Sequence, residues 1–160
     1  VVIAMFNGAL TQILLLALAA ILVVAAAIDV RTFTISNRLN LTVALLAPIY
    51  WLSISLPWGG VGIQLAAGTG VFVLLAAAFY AGMMGGGDVK LAAALALWFS
   101  PASTIKFLVL MSLAGGVLTL GLLAWHRAKS REGRPEIPYG VAIAFGGLAI
   151  LAQRFLNQFA

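Results

Sequence analysis

The 160-residue sequence has no cysteine, one histidine, four acidic residues and very little charge of either sign, 8% in all. Each shortage excludes something. Without cysteine there is no disulfide, no thiolate zinc ligand and no thiol nucleophile, and the redox compartment stays open. One histidine and four acids are too few for an all-protein metal cage, so neither a metal nor a cofactor is expected. Soluble domains carry about 25% charged residues. Against that, 8% charged and 64% hydrophobic residues, with a mean hydropathy of +1.15, exclude a soluble globular fold. The expectation is one integral-membrane domain over residues 1–160, all-α, with its core built between helices and against the lipid bilayer. The net charge of +5 does not indicate nucleic acid. The basic residues cluster in short loops between apolar runs, as topogenic charge beside anionic headgroups does.

About six transmembrane helices are predicted along the chain. Val1–Ile28 is uncharged, and Ile13–Ile28 is solidly apolar. It lacks a basic n-region and is too long for a signal peptide, so a first span ending at Asp29 is expected. Asp29–Arg38 is a polar connector, and Leu39–Leu56 a second span. Pro57-Trp58-Gly59-Gly60 makes a turn, with Trp51 and Trp58 suited to an interfacial belt. Ile63 to about Met84 is a third span, and Val89–Phe99, stopped by Ser100-Pro101, is a short fourth and the weakest, with a re-entrant segment as the alternative to a full span. Ile105–Trp125 is the fifth, His126–Pro138 the one hydrophilic loop, and Tyr139 to about Gln153 the sixth. Six spans put Arg31, Arg38, Lys90, Arg127, Lys129, Arg131 and Arg134 on one side and only Lys106 and Arg154 on the other. The positive-inside rule then makes the first side cytoplasmic, with both termini outside, in a multi-pass inner (cytoplasmic) membrane protein.

That topology brings two carboxylates to one face. Asp29 closes the first span, and Asp88 follows the glycine run Gly85-Gly86-Gly87; Glu132 and Glu136 belong to the hydrophilic loop. Two carboxyls close together do not both ionise readily, so the pair shares a proton. One then serves as general base toward water and the other as general acid toward a carbonyl oxygen or leaving amine. Taken singly, each has a plain structural reading: Asp29 as a solvated helix end beside Arg31, Asp88 as a helix N-cap. Together, in a chain with so few acids, they read as a catalytic pair.

Gly85-Gly86-Gly87-Asp88 matches the GxGD motif of intramembrane aspartic proteases, and Met84–Leu91 resembles the type IV prepilin peptidase family. Ile28-Asp29 followed by Ile35-Ser36-Asn37-Arg38 resembles that family's first aspartate and Ile-Pro-Asn-type segment, with Ser36 where proline is common. Ile137-Pro138-Tyr139-Gly140 resembles the start of its last helix. The resemblance covers nearly the whole chain. It implies an aspartic endopeptidase that removes the short basic leader from prepilin-like precursors at the cytoplasmic face, with Asp29 and Asp88 catalytic. Many members also carry paired CxxC motifs and methylate the new N-terminus. This chain has no cysteine and a ten-residue first connector, so it resembles the short form found in tight-adherence (Flp) pilus systems, without methyltransferase activity.

Four residues are expected to support the site. Gly85 and Gly87 let the chain bend so that Asp88 meets its partner, and Gly86 leaves room for a substrate backbone. Lys90 either lowers one aspartate's pKa or is topogenic. Two rival readings involve no catalysis: a small transporter or proton-pathway subunit, since membrane acids mark ion routes, and an inactive scaffold of a pilus assembly. Sparse polar residues deeper in the spans count against the transporter.

Overall fold

The computed structural model describes residues 2–129 and 136–157. Arg131, Glu132 and Arg134 of the hydrophilic loop lie outside the described residues. The protein is an all-α polytopic membrane protein, with six helices among the described residues: α1 (Val2–Thr32), α2 (Asn37–Ser53), α3 (Trp58–Tyr80), α4 (Gly86–Ala96), α5 (Pro101–Ala128) and α6 (Tyr139–Leu156). In α1, α3, α5 and α6 the apolar run is long enough to cross a bilayer. Their outward faces carry exposed large apolar side chains such as Leu16, Val73, Leu113 and Val117, as lipid contact requires.

The ends of the helices differ from the sequence reading, and capping explains most of the differences. α1 does not stop at Asp29 but runs three residues further, to Thr32. α2 starts at Asn37 because Ser36 caps it, its hydroxyl accepting from Leu39 N. α5 starts at Pro101 rather than Ile105, with Ser100 capping Ser103 N and the proline where its missing N–H costs nothing. α3 starts at Trp58, directly after Pro57, and ends at Tyr80 rather than near Met84. α4 begins at Gly86, so two of the three glycines form its first turn.

α4 has 11 residues, about 16 Å at 1.5 Å per residue, and cannot by itself cross a hydrocarbon core of about 30 Å. It is the central helix instead. It packs against α2, α3 and α6, and Leu91, Ala92, Leu95 and Ala96 have no exposed surface. Three hydrogen bonds pin it alongside α2. Asn40 Nδ2 donates to Gly87 O (2.9 Å), Trp98 Nε1 to Val43 O (3.0 Å) and Trp51 Nε1 to Leu97 O (2.8 Å). Gly87 beside Asn40 and Leu97 beside Trp51 mean that α4 runs parallel to α2 and reaches nearly its far end. The alternation of the six helices therefore survives the short one. Trp51 is not at an interface: it is 8% exposed, whereas Trp58 is 90% exposed. Its indole N–H is needed inside, by the carbonyl left free where α4 ends.

α1 packs against α2 and α6, and α5 against α6. At Gly147 α6 meets both α1 and α4 so closely that a Cβ would lie 2.8 Å from Leu22 Cδ1 and 3.3 Å from Leu95 Cδ1. Small residues of this kind let membrane helices approach where no hydrophobic drive pulls them together. As a result the connectors 33–36 and 81–85, with Lys129 and residues 136–138, share one end of the bundle.

Trp98 stacks on Tyr50 with ring centroids 5.0 Å apart. Trp98→Phe keeps most of that stacking and removes the indole N–H, a loss of about 1 kcal/mol. The unfolding midpoint in detergent should fall by a few degrees. Trp58→Phe, at the exposed position, should leave it unchanged.

Candidate active site

Asp29 lies in the last turn of α1 and is only 2% exposed. A buried carboxylate needs hydrogen-bond donors, and α6 supplies one. Gly140 N donates to Asp29 Oδ2 at 2.6 Å, while the next N–H, of Val141, turns to Pro138 O (3.2 Å). α6 needs an acceptor as much as Asp29 needs donors. The first N–H groups of a helix have no partners within it, and Pro138 at its N-cap offers no side-chain bond. Asp29 therefore caps α6 from another helix and sets its negative charge against the positive end of the α6 dipole. The reading of Asp29 as a solvated helix end is overturned by its burial. Gly140 makes the approach possible, since a Cβ there would sit 2.7 Å from Asp29 Oδ2.

Asp88 is 8% exposed and occupies the third position of α4. Its Oδ2 accepts from Gly85 N at 3.1 Å, which closes the first turn of α4 by the reciprocal half of a capping box. Both aspartates thus hold a helix start as well as any catalytic duty, Asp29 in α6 and Asp88 in α4.

The connector after α1 joins the two. Phe33 N donates to Asp29 O (2.8 Å), and Phe33 takes a left-handed φ of 51°, which ends the helix and turns the chain back over the bundle. Ile35, buried, is then wedged between α4 and α6. A Cβ on Gly87 would meet Ile35 O at 2.6 Å, and one on Gly140 would meet Ile35 Cδ1 at 2.7 Å. With both first turns held against one residue, Asp29 and Asp88 are buried at the same end of the bundle.

The expected supporting residues fall out unequally. Gly85 is the N-cap, with the Asp88 carboxyl folded back on it. Gly87 is required by the Ile35 carbonyl. Gly86 has the Phe79 ring against it, 3.4 Å from where a Cβ would stand, so that side is filled by the end of α3. Lys90 reaches neither carboxyl; its Nζ donates to Asn37 Oδ1 at 2.9 Å, tying α4 to the start of α2. Ile35 and Gly140 stood in the motifs read from the sequence but were given no role there. Asn40, which holds the carbonyl of Gly87, carried no signal at all.

Among the described residues no three His, Asp or Glu side chains come together in a metal-binding group. The arrangement offers two buried carboxyls at one end of the bundle, each fixed through one oxygen by a backbone N–H and, among the described residues, with no basic side chain bonded to either. Such a pair can hold and exchange a single proton.

Removing the cap of α6 should cost about 1–2 kcal/mol. Asp29→Asn keeps an acceptor oxygen for Gly140 N–H and should unfold in detergent nearly as the parent does. Asp29→Ala and Gly140→Ala should both melt clearly lower, as followed by circular dichroism.

Residues 16–120, which include both aspartates, match the type IV leader peptidase family. No curated protein and no solved structure is significantly similar to the chain. The match covers well over half of the sequence and runs from the middle of α1 through most of α5. On the strength of that match, the chain belongs to the type IV leader peptidase family.

Proposed function

We propose that the chain is a membrane-embedded aspartic endopeptidase that removes the short basic leader from type IV prepilin-like precursors, cleaving after a glycine at the cytoplasmic membrane face. The observation that carries this reading is the burial of two aspartates, Asp29 of α1 and Asp88 of α4, at the same end of the bundle. In the singly protonated pair, the ionised carboxyl takes a proton from a water molecule as its oxygen attacks the scissile carbonyl carbon. The protonated carboxyl gives its proton to the carbonyl oxygen, yielding a neutral tetrahedral diol. Collapse of the diol re-forms the carbonyl, breaks the C–N bond and protonates the departing amine, and the pair returns to one shared proton. Which aspartate begins as the acid is a property of the pair.

The cytoplasmic placement is supported by charge. Arg31, Arg38, Lys90, Arg127 and Lys129 lie at the aspartate end, and Lys106 and Arg154 at the other, as the positive-inside rule asks. Peptidase activity without methyltransferase activity is favoured by the absence of cysteine and by a connector of only four residues between α1 and α2.

The test is cleavage of a precursor peptide by the purified chain in detergent. Asp29→Asn and Asp88→Asn should each lower kcat at least about 100-fold, the scale of general acid–base catalysis, with helix content unchanged. Full activity in either variant rules the mechanism out. Lys90→Ala, which frees Asn37 and touches neither carboxyl, should retain activity within a few-fold.

A further inference from the structure

At the end of the bundle opposite the aspartates, the end of α2, the start of α3, the start of α5 and the end of α6 enclose a cavity of about 520 Å³. Its chemistry is one-sided. Lys106 of α5 and Arg154 of α6 both line it, and they are the two basic residues that the alternation of helices separates from all the others. No lining residue is acidic. Two like charges converging on a partly enclosed, low-dielectric space repel, and an anion between them removes that cost.

Three further features support an anion. The 28-residue α5 starts here, with Ser100 as N-cap and both Ser100 and Ser103 among the lining residues, so the positive end of a long helix dipole lies at the cavity. Arg154 is held in place, its guanidinium 5.3 Å from the Tyr50 ring centroid, which leaves its planar fork of donors oriented rather than mobile. Gln64 of α3 also lines the cavity; it is only 7% exposed, and its Oε1 has no hydrogen-bond partner. With the amide turned over, the same side chain presents an N–H to an anion. A nearly buried amide with an unpartnered oxygen, among the lining residues of a doubly cationic cavity, leaves a polar group there that a ligand can satisfy.

The level and the walls identify the ligand. Ile54, Trp98 and Ile150 give the cavity apolar sides, for which a free inorganic anion has no use. The site lies at the same end as Trp58, whose ring is almost wholly exposed, as aromatic residues at headgroup depth are. We propose that this cavity binds the phosphate of an anionic phospholipid headgroup, held by Lys106, Arg154 and the N-terminus of α5, with Gln64 as the buried polar contact.

The experiment is titration of the purified chain in detergent with phosphatidylglycerol, with phosphatidylcholine as the zwitterionic comparison, read by native mass spectrometry. Phosphatidylglycerol should bind more tightly than phosphatidylcholine. Lys106→Gln or Arg154→Gln should weaken it about five-fold each, and the double change about twenty-fold, the scale of a basic side chain near an anionic headgroup. Lys129→Gln, at the other end of the bundle, should leave it unchanged. Lys106 is exposed, so its replacement tests the site without disturbing the fold. Unchanged binding in the double variant overturns the proposal. So does equal binding of the two lipids, or displacement of phosphatidylglycerol by millimolar inorganic phosphate, which would mark a site for a free anion.

Discussion

The 2.6 Å hydrogen bond from Gly140 N to Asp29 Oδ2 is the contact on which the rest of the site depends. It satisfies two needs at once. A carboxylate buried in an apolar bundle requires donors, and a helix that begins after proline requires an acceptor. Because α1 and α6 each supply what the other lacks, a side chain that is costly in this environment becomes part of what holds the bundle end together. Carboxyls placed in this way are preorganised: their positions are set by helix starts, which move only if the fold moves.

The same economy governs the second aspartate. The glycine run looks from its composition like a flexible hinge, yet only Gly82, with φ 68°, takes a left-handed conformation. Gly86 and Gly87 are helical. Gly87 is needed for close approach, because the Ile35 carbonyl occupies the space a Cβ would fill. Ile35 in turn lies against Gly140, so one buried residue, by its carbonyl and its side chain, sets the spacing of the first turns of α4 and α6. Asn40 completes the frame by fixing the carbonyl of Gly87 from α2.

Much of this was legible in the sequence, for reasons that can be named. Carboxylates are so rare in this chain that Asp29 and Asp88 stand out, and uninterrupted apolar runs mark the long helices whatever their exact ends. What stayed hidden depends on tertiary partners. Glycine's poor helix propensity argues for starting α4 at Val89, but the Ile35 backbone demands glycine inside its first turn. A charged residue reads as a span's end, yet Asp29 is buried because α6 offers it an N–H. Trp51 has the character of a belt residue and is instead drawn inward by the free carbonyl of Leu97. Asn40 and Gln64 resemble any other polar residues until the helices around them are known.

The central claim is that Asp29 and Asp88 form one catalytic unit and are not two separate contributors. A double-mutant cycle on precursor cleavage tests it most directly, comparing Asp29→Asn, Asp88→Asn and the variant carrying both. Residues that act as a unit lose their effect together, so the double variant should be no less active than either single one. Substantial cleavage by either single variant, or losses that multiply in the double, would contradict the account.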